Sequence, residues 1–171
     1  MGPKRLDQAG LWSYALRALG RRSLTLRELR SRLEQCAAEP AHAPVVLAKL
    51  KEYGYLDDKR FADAFAAARI DNQKLGRQRV LRDLRTRRVA SAVAENAVEQ
   101  AYRGRDEIAL IEEFIARKFR GKDLSTYLAV ESHLAGAYRK LRYAGFSSGN
   151  SLRVLKRYSR RADELEDAPE E

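Results

Sequence analysis

Apolar residues recur at intervals of three and four positions along nearly the whole 171-residue sequence. This spacing places them on one face of an amphipathic helix. No stretch alternates with period two over the length of a strand, and β-branched residues are sparse. The sequence therefore predicts an all-α protein of nine helices. The eighth is predicted as one longer helix that starts at Asp123 or Ser125, continues through Leu141 and is ended by Gly145.

Residues near the predicted helix starts are suited to capping. Asp7 can cap the first helix. Thr25 and Glu28 have the form of a capping box at the second helix, in which the hydroxyl and the carboxylate each accept a backbone N–H. Asp57 or Asp58 can cap the fourth helix, because a carboxylate accepts from N–H groups that lack a partner within the helix.

The third predicted helix contains Pro44 in its first turn, where a missing N–H is tolerated. Gly54 can end this helix in the left-handed conformation. Its apolar set consists of Val45, Val46, Leu47, Leu50 and Tyr53.

The nine helices group into three sets of three, which indicates an internal repeat. Leu33, Leu84 and Leu141 take matching places in the sets and stand 51 and 57 residues apart. We predict three tandem three-helix repeats that form an elongated, curved molecule with a long surface. The predicted limits of the repeats, and of an acidic tail expected to be disordered, are 1–56, 57–103, 104–162 and 163–171.

The charge is strongly positive, with a formal net value of +10. The last nine residues hold six acids and no base, so residues 1–162 carry +16. Such a surface suits an anionic partner: nucleic acid, an acidic protein groove or a membrane surface. Solvated helix faces rich in arginine are the simpler alternative.

The most basic predicted helix has a narrow apolar stripe of Val80, Leu81 and Leu84, with arginines pointing away from it. By hypothesis this helix contributes most to partner or DNA binding, supported by basic residues of the first and third repeats. The candidate residues are Arg79, Arg82, Arg85, Arg77, Arg88, Arg27, Arg30, Arg153, Lys156 and Arg157.

Aromatic residues are assigned mainly to the core. Tyr53, Tyr55, Phe61 and Phe65 could stack on nucleic-acid bases. Their helical spacing beside a predicted hinge at Gly54 to Asp58 favours a core role instead. A second set is expected to fill the core of the third repeat with hydroxyl groups outward: Tyr102, Tyr138, Tyr143 and Tyr158.

No arrangement of residues indicates catalysis, a metal site or a cofactor. The two histidines, His42 and His133, and the single Cys36 show no metal-ligand spacing. No phosphate-binding glycine motif is present. We therefore expect a protein that is not an enzyme.

Several features favour the cytoplasm. One cysteine cannot form an internal disulfide, which suits a reducing compartment. No apolar run approaches the roughly 20 residues of a membrane span, and the first residues lead into a charged segment rather than a signal core.

The order and spacing of three blocks resemble the RecX family, regulators of the RecA recombinase. The central block is Leu56-Asp57-Asp58-Lys59-Arg60-Phe61-Ala62, followed by Arg69, Gly76 and the basic helix. The first contains Ala15 to Leu19 and Thr25 to Leu29, and the third Leu141 to Phe146 and Leu152 to Leu155. Arg88 stands where the family usually has glycine at the end of the basic helix.

The resemblance implies three tandem three-helix repeats, with no cofactor and no catalysis. It implies binding along the groove of a RecA filament on single-stranded DNA, with interference in strand exchange, ATP hydrolysis and repressor cleavage. Such a role belongs to homologous recombination, DNA repair and the SOS response, and we expect a monomer. The alternatives are a protein that binds single-stranded nucleic acid directly and a helical adaptor for another acidic protein.

Overall fold

The computed structural model describes residues 5–159, which contain ten α-helices and no strand. The all-α prediction is confirmed. The helices are α1 (Gln8–Arg21), α2 (Leu26–Cys36), α3 (His42–Glu52), α4 (Asp58–Gln73), α5 (Arg77–Thr86), α6 (Ser91–Tyr102), α7 (Glu107–Lys118), α8 (Leu124–Leu128), α9 (Glu131–Tyr143) and α10 (Ser148–Leu155).

The capping residues act as the sequence predicts. Oδ1 of Asp7 accepts the N–H of Gly10 at 2.8 Å, and both hydrogen bonds of the capping box at α2 are present. Asp57 caps α4 by accepting the N–H of Arg60 at 2.9 Å. Asp58 instead accepts the N–H of Leu26, the first residue of α2, at 2.7 Å. The two adjacent aspartates therefore cap different helices.

Two compact units make up the described chain. Unit 1 holds residues 5–65 and 83–97, and unit 2 holds residues 66–82 and 98–159. The core of unit 1 is lined mainly by Leu11, Ala15, Leu24, Leu29, Leu33, Val46, Leu47, Leu50 and Leu56. The core of unit 2 is lined mainly by Ile70, Ile111, Ile115, Phe119, Leu128, Leu134, Leu141, Phe146, Val154 and Leu155. The predicted limits of the three repeats stay a prediction, and the acidic tail lies outside the described residues.

The predicted eighth helix is two helices, α8 and α9, separated by Ala129 and Val130. In one straight helix, Leu128 and Leu134 would stand six residues and about 120° apart around the axis. The break lets both side chains enter the core of unit 2, where each is at most 1% exposed. Val130, in extended conformation, lies between the two helices and is 47% exposed.

Two members of the apolar set of α3 lie outside the core. Val45 and Tyr53 are exposed rather than buried. Ala43, Val46, Leu47 and Leu50 form the buried face. No helix among residues 5–159 is long and apolar enough to cross a membrane.

Candidate functional site

Two glycines bring the start of α5 against the end of α9 within unit 2. The N–H of Gly76 donates to the carbonyl of Ala144 at 2.8 Å, and the N–H of Gln78 donates to Gly145 at 3.2 Å. A Cβ atom added to Gly76 would lie 2.4 Å from the backbone of Gly145. Gly145 itself has φ +91°, a conformation that glycine adopts without strain. The two backbones can touch only because neither residue has a side chain.

This close approach places two predicted interface arginines on Tyr143. The guanidinium carbon of Arg79 lies 4.4 Å from the centroid of the Tyr143 ring, and that of Arg82 lies 5.7 Å away. Nη2 of Arg82 also donates to the carbonyl of Tyr143 at 3.2 Å. Each stacked cation is worth about 0.5–1 kcal/mol at an exposed site. We call Arg79, Arg82 and Tyr143 the arginine–tyrosine surface.

The exposure of Tyr143 contradicts its predicted place in the core. Its side chain is 68% exposed. The buried face of α9 consists of Leu134, Ala137 and Leu141, and Tyr143 follows Leu141 by two positions. Two positions correspond to about 200° around a helix, which points Tyr143 away from the core. The helical spacing contained this signal, and the sequence reasoning missed it.

Three other predicted interface arginines pair with acids. In unit 2, Arg77 pairs with Glu99 and Arg157 with Glu112. In unit 1, Arg85 pairs with Glu95 at 3.1 Å. All six side chains are between 42% and 58% exposed. Exposed pairs contribute only about 0–1 kcal/mol, so these arginines can exchange the acid for another anion at small cost.

The remaining predicted residues are exposed, and the side chains of four of them make no hydrogen bond or ion pair with another described residue. These four are Arg27, Arg30, Arg88 and Arg153. Lys156 is exposed at the end of α10. Arg88 has φ +59°, which lies in the left-handed region that glycine favours. The role of all ten residues in binding stays a prediction.

Arg87, one residue beyond α5, has a structural role in unit 1. Its Nε donates to Oε1 of Glu28 at 2.7 Å, and its carbonyl accepts the Thr25 hydroxyl at 2.9 Å. Burial tends to raise the pKa of Glu28, but hydrogen bonds from Arg87 and the Thr25 backbone outweigh it, and the pKa lies below its ordinary value. The Arg87 guanidinium also lies 4.8 Å from the centroid of the Phe61 ring.

The predicted core role of the hinge aromatics is wrong for two residues. Tyr53 and Tyr55 are 62% and 55% exposed, and both rings meet the edge or face of Trp12. Phe61 and Phe65 are partly buried and stack on each other with centroids 5.7 Å apart. Glycine at position 54 turns the chain sharply there, so the helical spacing does not continue through the hinge.

No group of three or more His, Cys, Asp or Glu side chains within the described chain could hold a metal ion. His133 stacks on Tyr127 with centroids 4.2 Å apart, and Cys36 is partly buried as a free thiol. The functional groups that these residues present are exposed guanidinium groups, some of which lie beside aromatic rings.

Fold and charge together define a basic, all-helical protein. Residues 57–98 match a family model described as RecX, second three-helix domain. Regulatory protein RecX of Streptomyces coelicolor is 32% identical over 147 residues, covering 84% of this chain and 74% of that protein. The chain belongs to the RecX family.

Two further comparisons concern part of a second relative and a solved structure that shares the fold. Regulatory protein RecX of Halorhodospira halophila is 39% identical over 87 residues, which span 51% of this chain and 53% of that protein. The crystal structure of RecX from Lactobacillus salivarius has the same fold, with a TM-score of 0.67 at 15% identity over 88% of this chain and 96% of that one.

Proposed function

We propose that this chain is a mainly inhibitory regulator of the RecA recombinase. It binds RecA and the groove of the filament that RecA forms on single-stranded DNA. There it suppresses strand exchange, ATP hydrolysis and the cleavage of repressors by RecA. The proposal places the protein in the cytoplasm, acting as a monomer without cofactor or catalytic step.

The arginine–tyrosine surface is the observation that carries the proposal. Arg79 and Arg82 converge on Tyr143, which is 68% exposed. Guanidinium groups bind phosphate and carboxylate groups through two parallel hydrogen bonds. A DNA–protein filament offers both anions, so the surface suits such a target.

Additional exposed guanidinium groups support binding through many weak contacts. Arg27 and Arg30 lie on α2 of unit 1, and Arg153 lies on α10 of unit 2. Contacts made by one chain to one filament add through effective concentration, without a deep pocket. Exposed charge contacts are screened by salt, so the inhibition should weaken as ionic strength rises.

The test is the DNA-dependent ATPase rate of RecA on preformed filaments, with this protein added over a range of salt. Binding of the protein alone to single-stranded DNA is followed under the same conditions. We expect the ATPase rate to fall at protein concentrations well below that of RecA, including at salt where direct DNA binding is weak. An unchanged ATPase rate at all concentrations would contradict the proposal.

Direct binding to single-stranded nucleic acid is the second candidate, favoured by the exposed ring of Tyr143. Proteins of this kind combine a basic surface with aromatic rings on which bases stack. This function predicts strong DNA binding that weakens with salt. The logarithm of the binding constant should fall with the logarithm of the salt concentration with a slope of about −0.7 for each phosphate contact. Strong DNA binding without any effect on RecA would select this candidate over the first.

A further inference from the structure

Four arginines line one concavity of unit 1, at a place that the sequence did not single out. The concavity has a volume of about 410 Å³ and lies between residues of α1 and α2. Its lining consists of Tyr14, Arg17, Ala18, Arg21, Arg22 and Arg32. We call it the arginine concavity.

The charge of the arginine concavity is largely uncompensated. The guanidinium groups of Arg17, Arg21 and Arg32 make no hydrogen bond or ion pair with any residue in the range 5–159. Arg22 lies 3.8 Å from Glu28, but that carboxylate is held more closely by Arg87 at 2.7 Å. Helix α1 contains no acidic residue that could neutralise the group.

In the absence of a bound anion, this cluster of positive charges lowers the stability of the fold. Arg17 and Arg21 are four positions apart on α1, where like charges destabilise a helix. Arg32 is partly buried, so part of its hydration is lost without a protein partner in return. An anion bound in the concavity would relieve both costs.

We propose that the arginine concavity binds the phosphodiester backbone of single-stranded nucleic acid, with a base against the ring of Tyr14. Guanidinium groups match phosphate oxygens in geometry and charge. Tyr14 is partly exposed in the same lining, and an aromatic ring beside a basic groove is the usual platform for an unpaired base. An acidic peptide could use the arginines but has no base to place on the ring.

None of the residues that line the concavity is among those that support the proposed RecA function. The concavity can therefore be tested by measuring DNA binding in the absence of RecA. The experiment measures the affinity of the full chain for a short thymidine oligonucleotide by fluorescence anisotropy between 50 and 300 mM salt, about the range over which phosphate contacts are resolved. The variant carries Arg17→Ala, Arg21→Ala and Arg32→Ala. A matched control removes three exposed charges outside the concavity with Arg103→Ala, Lys118→Ala and Arg120→Ala.

The loss of three phosphate contacts should reduce the slope of log binding constant against log salt concentration by about 2. It should also weaken binding at low salt by about tenfold or more. The control variant should keep most of the slope. Tyr14→Leu should weaken binding to the oligonucleotide about fivefold but leave binding to an abasic strand of the same length unchanged. Circular dichroism and thermal unfolding of each variant establish that it is folded.

Two results would overturn the inference. One is a folded triple variant that binds the oligonucleotide with the affinity and salt slope of the unsubstituted protein. The other is a triple variant that loses binding to polyglutamate while its DNA binding is unchanged, which would make the concavity a site for an acidic protein segment. Either result would overturn only the proposed DNA site. The proposed effect on RecA is tested separately by the RecA ATPase assay.

Discussion

A Cβ atom on Gly145 would lie 2.2 Å from the backbone nitrogen of Arg79. This distance shows how tightly the turn after α9 packs on the first turn of α5. The contact determines the position of the Arg79 backbone relative to α9, and therefore allows the Arg79 side chain to stack on the Tyr143 ring. The arginine–tyrosine surface therefore depends on a residue that contributes no side chain.

Replacing Gly145 by alanine should destabilise unit 2 markedly. The positive φ of +91° costs a residue with a Cβ about 1–2 kcal/mol, and the collision with α5 adds about 1–3 kcal/mol. Urea unfolding measures the change. Gly104→Ala is the matched control, because Gly104 has φ +70° but nothing within 4 Å of an added Cβ. Equal losses for the two variants would contradict the close packing.

Replacing Glu28 by glutamine should reduce the loss of stability in acid. The pKa of folded Glu28 lies below its ordinary value of 4.5, so its ionised form stabilises the fold above about that pH. This contribution is lost as the pH falls through the lower folded pKa. Urea unfolding between about pH 3 and 6 should show a flatter pH dependence for Glu28→Gln.

The control for this experiment is Glu52→Gln. Glu52 is exposed and pairs with no other residue in the described part of the chain. Its substitution should leave the pH dependence of stability as it was. A Glu28→Gln variant that loses stability in acid as steeply as the unsubstituted protein would show that the Glu28–Arg87 contact does not operate in solution.

Replacing Tyr102 by phenylalanine should cost about 1 kcal/mol of stability. The Tyr102 hydroxyl donates to the carbonyl of Leu75 at 2.5 Å, inside unit 2. Burial raises the pKa of this phenol, which keeps the hydrogen on the oxygen as the donor. Its removal leaves a partly buried carbonyl without that partner. Thermal unfolding of Tyr102→Phe, compared with exposed Tyr53→Phe, measures the difference; equal midpoints would exclude a stabilising hydrogen bond.

Reversing the charge of α5 should abolish most of the inhibition of RecA. A variant with Arg79→Glu, Arg82→Glu and Arg85→Glu should need about tenfold or more protein for half-inhibition of the ATPase, because like-charge contacts oppose docking. The control is Arg103→Glu, Lys118→Glu and Arg120→Glu, which changes the net charge equally. A folded α5 variant that inhibits RecA as the control does would remove α5 from the interface.

The helices and their caps could be predicted because they depend on local spacing. Asp7, Thr25 and Glu28 act within three residues of their partners, and such contacts are visible in the sequence. The break between α8 and α9 was missed although Leu128 and Leu134 have the wrong spacing for one helix face. Tyr143 was misplaced for the same reason, since aromatic character was given more weight than position around the helix.

The sequence alone determined that the chain is helical, basic and a member of the RecX family by the order of its motifs. It also led to the prediction that binding depends mainly on arginine side chains, which stays a prediction. Only the tertiary structure decided which arginines are paired with acids, which stack on Tyr143 and which collect in the arginine concavity. Helical spacing fixes which direction a side chain points from its own helix, but its neighbours come from other helices whose packing depends on the whole core.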